Sequence, residues 1–458
     1  MTPQETVERA LALSKADGCV VLTTERSEAN LRWAGNTLTT NGTMRSRQVA
    51  VISTIGGAAG VVQRSAVSPD DLEALVRASE QAARDAGPSE DAAALVEPGG
   101  NPGSWDEPAA ETSIGTLGEV AAGLGSTFER AAAESRLLFG FAEHALETWY
   151  VGTSTGVRLR HVQPTGKIDI NGKSPDYARS AWVGQSTRDF ADVDVAALDA
   201  ELTRRLGWAD RTVDLPAGRY ETLLPPSAVA DLAIYMYWAS FAARGADEGR
   251  TVFARSGGGN RVGDRLATLP ITLRSDPAAP GLECEPFLTA TRSEEGTLSV
   301  FDNGLPIGPV DWIKDGVLTT LARTRAYGAK TGTQAVPMVD NLIMESPDGA
   351  GSTDDLIART ERGLLLTCVW YVRMVDPQTL LMTGLTRDGV YLVEGGEVTG
   401  AVNNFRFNES PVDLLGRISE VGATTRGLAR EFGDYFTRTA MPTLRIADFN
   451  MSTVSQAS

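Results

Sequence analysis

Gly152-Thr153-Ser154-Thr155-Gly156 spells G-x-S-x-G, a pattern that in hydrolases exposes a nucleophilic serine on a strained turn between a strand and a helix. The residues after Gly156 do not carry a helical pattern. Val157-Arg158-Leu159-Arg160-His161-Val162 alternates apolar and long polar side chains as a strand does, so the glycines read as hairpin formers. The two histidines, His144 and His161, lack an H-x-x-x-H spacing and fall short of the three protein ligands usual for catalytic zinc, so structural hydrogen bonds are expected of them. In Gly257-Gly258-Gly259-Asn260-Arg261-Val262-Gly263, Val262 stands where G-x-G-x-x-G needs its third glycine, and the stretch reads as a flexible loop. No G-x-x-x-x-G-K-[ST] run is present to cradle a nucleotide phosphate. Cys284 sits between Glu283 and Glu285, whose charges disfavour the reactive thiolate. Arg158 and Arg160 project to one side of their strand and Val157, Leu159 and His161 to the other, predicting one wet and one packed face; two guanidinium forks would also suit a carboxylate. Residue by residue, nothing in the chain forms a catalytic constellation.

Composition narrows the classes further. A chain of 458 residues, 42% hydrophobic and 22% charged, is globular and long enough for two cores. Its net charge of -17, from 42 basic and 59 acidic residues, repels phosphate backbones and anionic lipids, so neither nucleic acid nor membrane is an expected partner. Cys19, Cys284 and Cys368 are odd in number and far apart, as buried thiols rather than a disulfide framework. The start shows no basic region followed by an apolar stretch, and the longest apolar runs, Leu232 to Ala243 and Leu364 to Val372, are shorter than the roughly 20 residues that cross a bilayer. A cytoplasmic location is the expectation.

The elements that must position any site can be read from local pattern. Thr2, Pro3 and Glu5 form a helix start with Val7, Ala10 and Leu11 as its apolar stripe. Cys19 to Thr24, Asn30 to Thr40 and Gln48 to Ile55 read as strands, and Ser68-Pro69-Asp70-Asp71 as the cap of a second helix. Residues 87–111, rich in Pro, Gly, Ala and acids, read as a mobile surface loop. Next come a helix over Ile114 to Glu134, a hairpin of Leu137 to Val151 with Val157 to Gln163, and a helix over Val195 to Leu206. The second half is strand-rich, with hairpin turns at Asp315-Gly316 and Gly395-Gly396, one helix from Ala228 to Arg244, and one begun at Ser410. The fold class is α+β, divided into residues 1–215 and 216–458.

The order of these features resembles the TldD/PmbA family, whose members pair as an active TldD-type and an inactive TldE-type subunit. The resemblance rests on Asn30-Leu31-Arg32-Trp33-Ala34-Gly35-Asn36-Thr37-Leu38, on the hairpin at Gly152 to Arg158, on Gly249-Arg250-Thr251-Val252-Phe253 followed by Gly263-Asp264-Arg265, and on Ile313 to Leu318, Arg325-Ala326-Tyr327-Gly328 and Val339-Asp340-Asn341-Leu342. In TldD-type subunits a helix carries H-E-x-x-x-H and a late cysteine adds a ligand. That register falls here on Ile234, Tyr235 and Ala239, and no cysteine follows Ser410. The resemblance therefore implies a TldE-type chain with no catalytic or metal-binding residues. Its zinc would reside in an H-E-x-x-x-H-bearing TldD-like partner, and the two would enclose a cavity for small or unfolded peptides or peptide-like intermediates. Asn341, beside a family-like strand, is the expected peptide contact. Two other readings are a regulatory binding protein, such as a modulator of a topoisomerase or toxin system, and a stand-alone serine hydrolase built on Ser154 and His161.

Overall fold

The computed structural model describes residues 1–65, 67–99, 104–294 and 296–455. The first helix, α1 (Pro3–Leu13), starts where the sequence places it: the Thr2 hydroxyl accepts from the Glu5 amide at 3.1 Å and the Glu5 carboxylate accepts from the Thr2 amide at 2.8 Å. Three long strands come next, β1 (Gly18–Trp33), β2 (Leu38–Ile55) and β3 (Ala58–Ser65). Asn30 to Thr40 is thus not one strand. Asn36 at φ 62° turns the chain between β1 and β2, and its side chain ties the turn to Leu138 N and Arg136 O. After α2 (Leu72–Asp85) and α3 (Gly118–Ala133) come β4 (Leu137–Thr153), β5 (Arg158–Lys173) and β6 (Ser180–Thr187), then α4 (Val195–Trp208). The six strands form an antiparallel sheet in the order β3-β2-β1-β4-β5-β6.

Strand alternation decides what each face of this sheet meets. One face is apolar towards both ends: Cys19 and Val21 pack under α1 and α2, while Ala29, Leu31, Ala142, Ile168 and Ile170 pack under α3 and α4, with the Arg47–Glu25 ion pair between the two clusters. The other face changes character partway. Val20, Leu22, Val151 and Leu159 bury against Phe287, Leu288, Val300 and Phe301, contributed by the second half of the chain. Further along the same face, Arg26, Glu28, Glu143, Glu147, Lys167 and Asp169 replace them. The sheet is therefore stapled to the rest of the molecule at one end and faces it across a charged gap at the other.

The expected wet face of β5 is covered. Arg158 donates bidentately to Glu8 of α1, and Arg160 donates to Ser104 Oγ at 3.0 Å and Pro108 O at 2.6 Å. Residues 87–111 carry no helix or strand among those described; Leu95 joins the sheet core and Trp105 stacks edge-on against Tyr150 at 5.8 Å. Residues 100–103 of that segment lie outside the described residues.

The chain joins the second half at β7 (Thr212–Val213) and β8 (Gly218–Leu224), both strands of its larger sheet. Among the described residues that half holds a ten-stranded mixed sheet and a six-stranded one, with α5 (Pro226–Ser240) in the core they share. α5 stops at Ser240, so the helix expected to run to Arg244 is broken, and a short segment, Ala243–Asp247, resumes it. The helix begun at Ser410 covers only Pro411–Leu415, because Ile418 already pairs with Ile446 in a strand. Both hairpins form where expected, at Asp315-Gly316 and Gly395-Gly396.

Candidate functional site

α5 carries the positions of the missing motif. Its 15 residues contain a single charge, Asp231, which is fully buried. A lone buried carboxylate needs acceptor work to do. Here it accepts from three consecutive backbone amides, Arg430 at 3.0 Å, Glu431 at 2.9 Å and Phe432 at 3.0 Å. Burial outweighs these donors and pushes the Asp231 carboxyl up to about 7. The clamp fixes the start of a segment, residues 430–438, that supplies Arg430, Asp434, Thr437 and Arg438 to the gap described above.

One and two turns beyond Asp231, the face of α5 turned to this segment is aromatic. Tyr235 lies 5.6 Å from Phe432, and Trp238 lies 5.5 Å from Phe432 and 6.0 Å from Phe436. The Tyr235 hydroxyl also accepts from the Met374 amide at 3.2 Å. Ile234 is fully buried, and Ala239 carries no polar atom in its side chain. Nothing at these three positions binds a metal, and among the described residues no three His, Cys, Asp or Glu side chains converge into a group able to hold one.

The gap is a crevice of about 760 Å³. Its walls are the charged face of β1, β4 and β5 on one side and residues 430–437 on the other. Arg26 bonds Glu28 at 3.1 Å and Glu143 at 2.6 Å, and Lys167 pairs with Asp434. Thr165 and Thr437 also border a smaller pocket of about 120 Å³ that holds His161, Arg188, Glu283 and Arg438. Arg438 pairs with Asp340 and donates to Thr165 Oγ1 at 2.6 Å. Glu285 is pushed up to about 8 by burial and by the nearby Asp340 charge. Burial likewise raises Glu143, Glu147, Asp169 and Asp340, although water still touches Asp340, whose side chain is 46% exposed. The surface is polar and charged, and among the described residues that line it no nucleophile is paired with a base.

Asn341 does not face the crevice. It is fully buried; its amide donates to Asp276 O at 2.6 Å and Leu282 O at 2.8 Å while its oxygen accepts from Asp276 N at 3.0 Å. It shapes the 276–282 turn and has nothing left for a peptide. Ser154 is likewise a tether, its hydroxyl accepting from the Cys19 amide at 3.0 Å. His161 bonds Gln163 at 3.0 Å and stacks edge-on against Phe287, far from any serine base role, and His144 lies between Thr112 Oγ1 at 2.6 Å and Arg188 O at 3.0 Å. Burial lowers both imidazoles. It also raises Cys19 to about 11 and Cys284 and Cys368 to about 12, so all three thiols are inert. Replacing Ser154→Ala should therefore cost about 1 kcal/mol of stability for one lost hydrogen bond and leave any activity of the assembled protein unchanged, as a peptide-cleavage assay beside a urea titration would read.

Sequence pattern alone does not point to Arg430, Arg438, Asp340 or Glu285. For Asp231 one signal exists: it is the only charge in an apolar helix and so announces a buried partner.

The protein is thus an α+β fold of three sheets among the described residues, with this crevice and a central helix bare of metal ligands. A family model described as the PmbA/TldA metallopeptidase C-terminal domain matches residues 217–453, and the chain belongs to that family. No curated protein matches the sequence. Among solved structures the chain is similar to TldE from Thermococcus kodakarensis, at 18% identity and a TM-score of 0.78, covering 98% of this chain and 99% of that one. It is similar also to two candidate modulators of DNA gyrase. The one from Thermotoga maritima shows 16% identity and a TM-score of 0.77 over 98% and 99% of the two chains, and the one from Bacteroides thetaiotaomicron 14% and 0.78 over 99% and 98%. At these identities the likeness is one of fold.

Proposed function

We propose that the chain is the non-catalytic, TldE-type subunit of a two-subunit zinc peptidase in the cytoplasm. It would help enclose a cavity in which a TldD-like partner bearing H-E-x-x-x-H cleaves small or unfolded peptides or peptide-like intermediates. The observation that carries this reading is α5: where the family resemblance puts two imidazoles and a glutamate, the helix has Ile234, Tyr235 and Ala239, with Tyr235 stacked on Phe432. Family membership and the likeness to a TldE fold support it. Among the described residues no helix is long and apolar enough to cross a membrane.

In this arrangement the partner's zinc supplies the activated water. This chain's residues hold and exclude: the β1, β4 and β5 face and residues 430–438 form polar walls for an extended peptide, and the crevice is too small for a folded domain. Co-expression with the H-E-x-x-x-H-bearing relative from the same source tests the reading. Equal co-purification, bound zinc, and cleavage abolished by a chelator are expected, with little or no cleavage by this chain alone. Robust hydrolysis by the isolated chain would sink it. Likeness to two candidate modulators of DNA gyrase favours a second reading, a regulatory binding protein, which predicts a stable pair that cleaves nothing.

A further inference from the structure

Arg430 differs from Arg26 and Lys167 in the crevice; Arg32, also in its lining, has no ion pair among the described residues but is exposed and lies 6.0 Å from the Phe141 ring. Arg26 and Lys167 are neutralised by Glu28, Glu143 and Asp434, whereas the Arg430 side chain forms no ion pair or hydrogen bond among the described residues. It is nonetheless held firmly. Its backbone amide is one of the three clamped by Asp231, and its guanidinium carbon lies 3.9 Å from the centroid of Trp370 and 5.2 Å from that of Trp182. With the Trp370 ring this close to its face, the guanidinium keeps its in-plane N–H edge for bonding. Nε is buried, so the edge that borders the crevice is that of the terminal nitrogens.

Donors outnumber acceptors at this locus. Arg430 Nε, Trp182 Nε1 and Trp370 Nε1 are all buried without a partner, and Trp182 is 2% exposed. Neither an indole nor a guanidinium can accept a hydrogen bond, so the complement of this cluster is an acceptor. Orphaned buried donors are rare enough in folded proteins to require an explanation. Asp169 is the acceptor nearest this cluster: Trp182 and Arg430 both act on its carboxyl, yet it forms no ion pair with Arg430, and burial raises it toward the neutral form.

We propose that Arg430, packed against Trp370 and Trp182, is the carboxylate-binding group of the crevice and takes the terminal α-carboxylate of a bound peptide. This rests on the reading of the protein as part of a peptidase. A planar, pre-stacked guanidinium matches the two oxygens of a carboxylate, which a lysine does not. The flanking acids Glu28, Glu143, Asp169 and Asp434 tolerate one anionic group at the guanidinium and repel a chain carrying several. A crevice of about 760 Å³ has room for the end of a peptide.

The test is calorimetric binding of one short unstructured peptide to the full-length chain, alone and paired with its H-E-x-x-x-H relative. The peptide is compared as free acid, as C-terminal amide, and with an internal Glu→Gln exchange. Amidation should weaken binding by roughly tenfold, the value of one charge-assisted pair, and the internal exchange, which removes a charge the flanking acids repel, should not weaken it. Arg430→Gln should erase the acid-to-amide difference, and Arg430→Lys should restore only part of it, both unfolding at the wild-type temperature. Equal binding of acid and amide by the wild-type chain, binding of neither, or a loss on the internal exchange alone would each overturn the assignment, and the acid and amide arms need no variant that could misfold. If the assembled pair cleaves acid and amide equally well, this inference fails alone; if it cleaves neither, the peptidase reading fails while the binding comparison still decides the role of Arg430.

Discussion

Asp231→Ala is expected to cost about 4 kcal/mol, because it removes the acceptor from three buried amides at once and each unsatisfied group costs roughly 1–3 kcal/mol. The damage should be local before it is global. Residues 430–438 come free of α5, Phe432 loses its seat against Tyr235 and Trp238, and Arg430 is no longer aimed at the crevice. Urea titration gives the stability loss, and hydrogen exchange should show the amides of 430–432 opening first. A loss below about 1 kcal/mol would mean that the aromatic contacts, not the carboxylate, hold the segment. The same residue predicts a pH dependence. Its folded value of about 7 lies above the ordinary 3.8, so between those values the folded chain retains a proton that the unfolded chain releases. The corresponding stability is fully present below pH 3.8 and lost as the pH rises through 7. Asp231→Asn has no such proton, so the wild type should lose stability relative to this variant across that window; parallel stability curves would contradict the burial argument.

The second large effect is expected from Gly140→Ala. Gly140 lies on β4 beneath the indole of Trp33, and a methyl group there would fall well inside 3.0 Å of both that ring and the Asp169 carbonyl of the neighbouring strand. Neither obstacle is a flexible tip. The ring is 1% exposed and stacks on Phe128 at 6.4 Å, and the carbonyl is part of the sheet that forms the crevice wall. Relief requires moving Trp33 or parting β4 from β5, at about 3 kcal/mol, the upper end of ordinary overpacking. A drop in thermal midpoint should be accompanied by weaker peptide binding, since Phe141, Glu143, Lys167 and Asp169 all ride on those two strands. An unchanged midpoint would mean that the sheet yields more easily than its packing indicates.

What could be read from the sequence divides along the range of the forces involved. Local chemistry was legible: the Thr2 and Glu5 capping box, the turns at Asp315-Gly316 and Gly395-Gly396, and the alternation of β5 all appear in the structure. Where a tertiary contact overrides a local pattern, sequence and structure part. Asn30 to Thr40 is β-prone at both ends, but Gly35-Asn36 between them turns the chain, and the Asn36 side chain fixes that turn by bonding residues about a hundred positions away. The polar side of β5 looks wet because nothing local to it predicts that α1 will arrive with Glu8. The candidate site was the least legible part. Asn341 stands out only through its neighbours in sequence, and its amide is consumed by the turn it shapes; Arg430 does not stand out, because its stacking partners, Trp182 and Trp370, lie on different sheets. The absence of the metal motif was readable because it is a matter of composition along one helix.

The seating of Phe287, Leu288, Val300 and Phe301 on the first sheet has a consequence for biosynthesis. A ribosome releases β1 to β6 long before it has made the residues that cover Val20, Leu22, Val151 and Leu159. Throughout that delay the emerging half carries an oily, unfinished surface of the kind that chaperones bind and that promotes aggregation. Expression of residues 1–215 alone would make that interval permanent, yielding a sheet with its helices in place on one side and a sticky, uncovered end on the other.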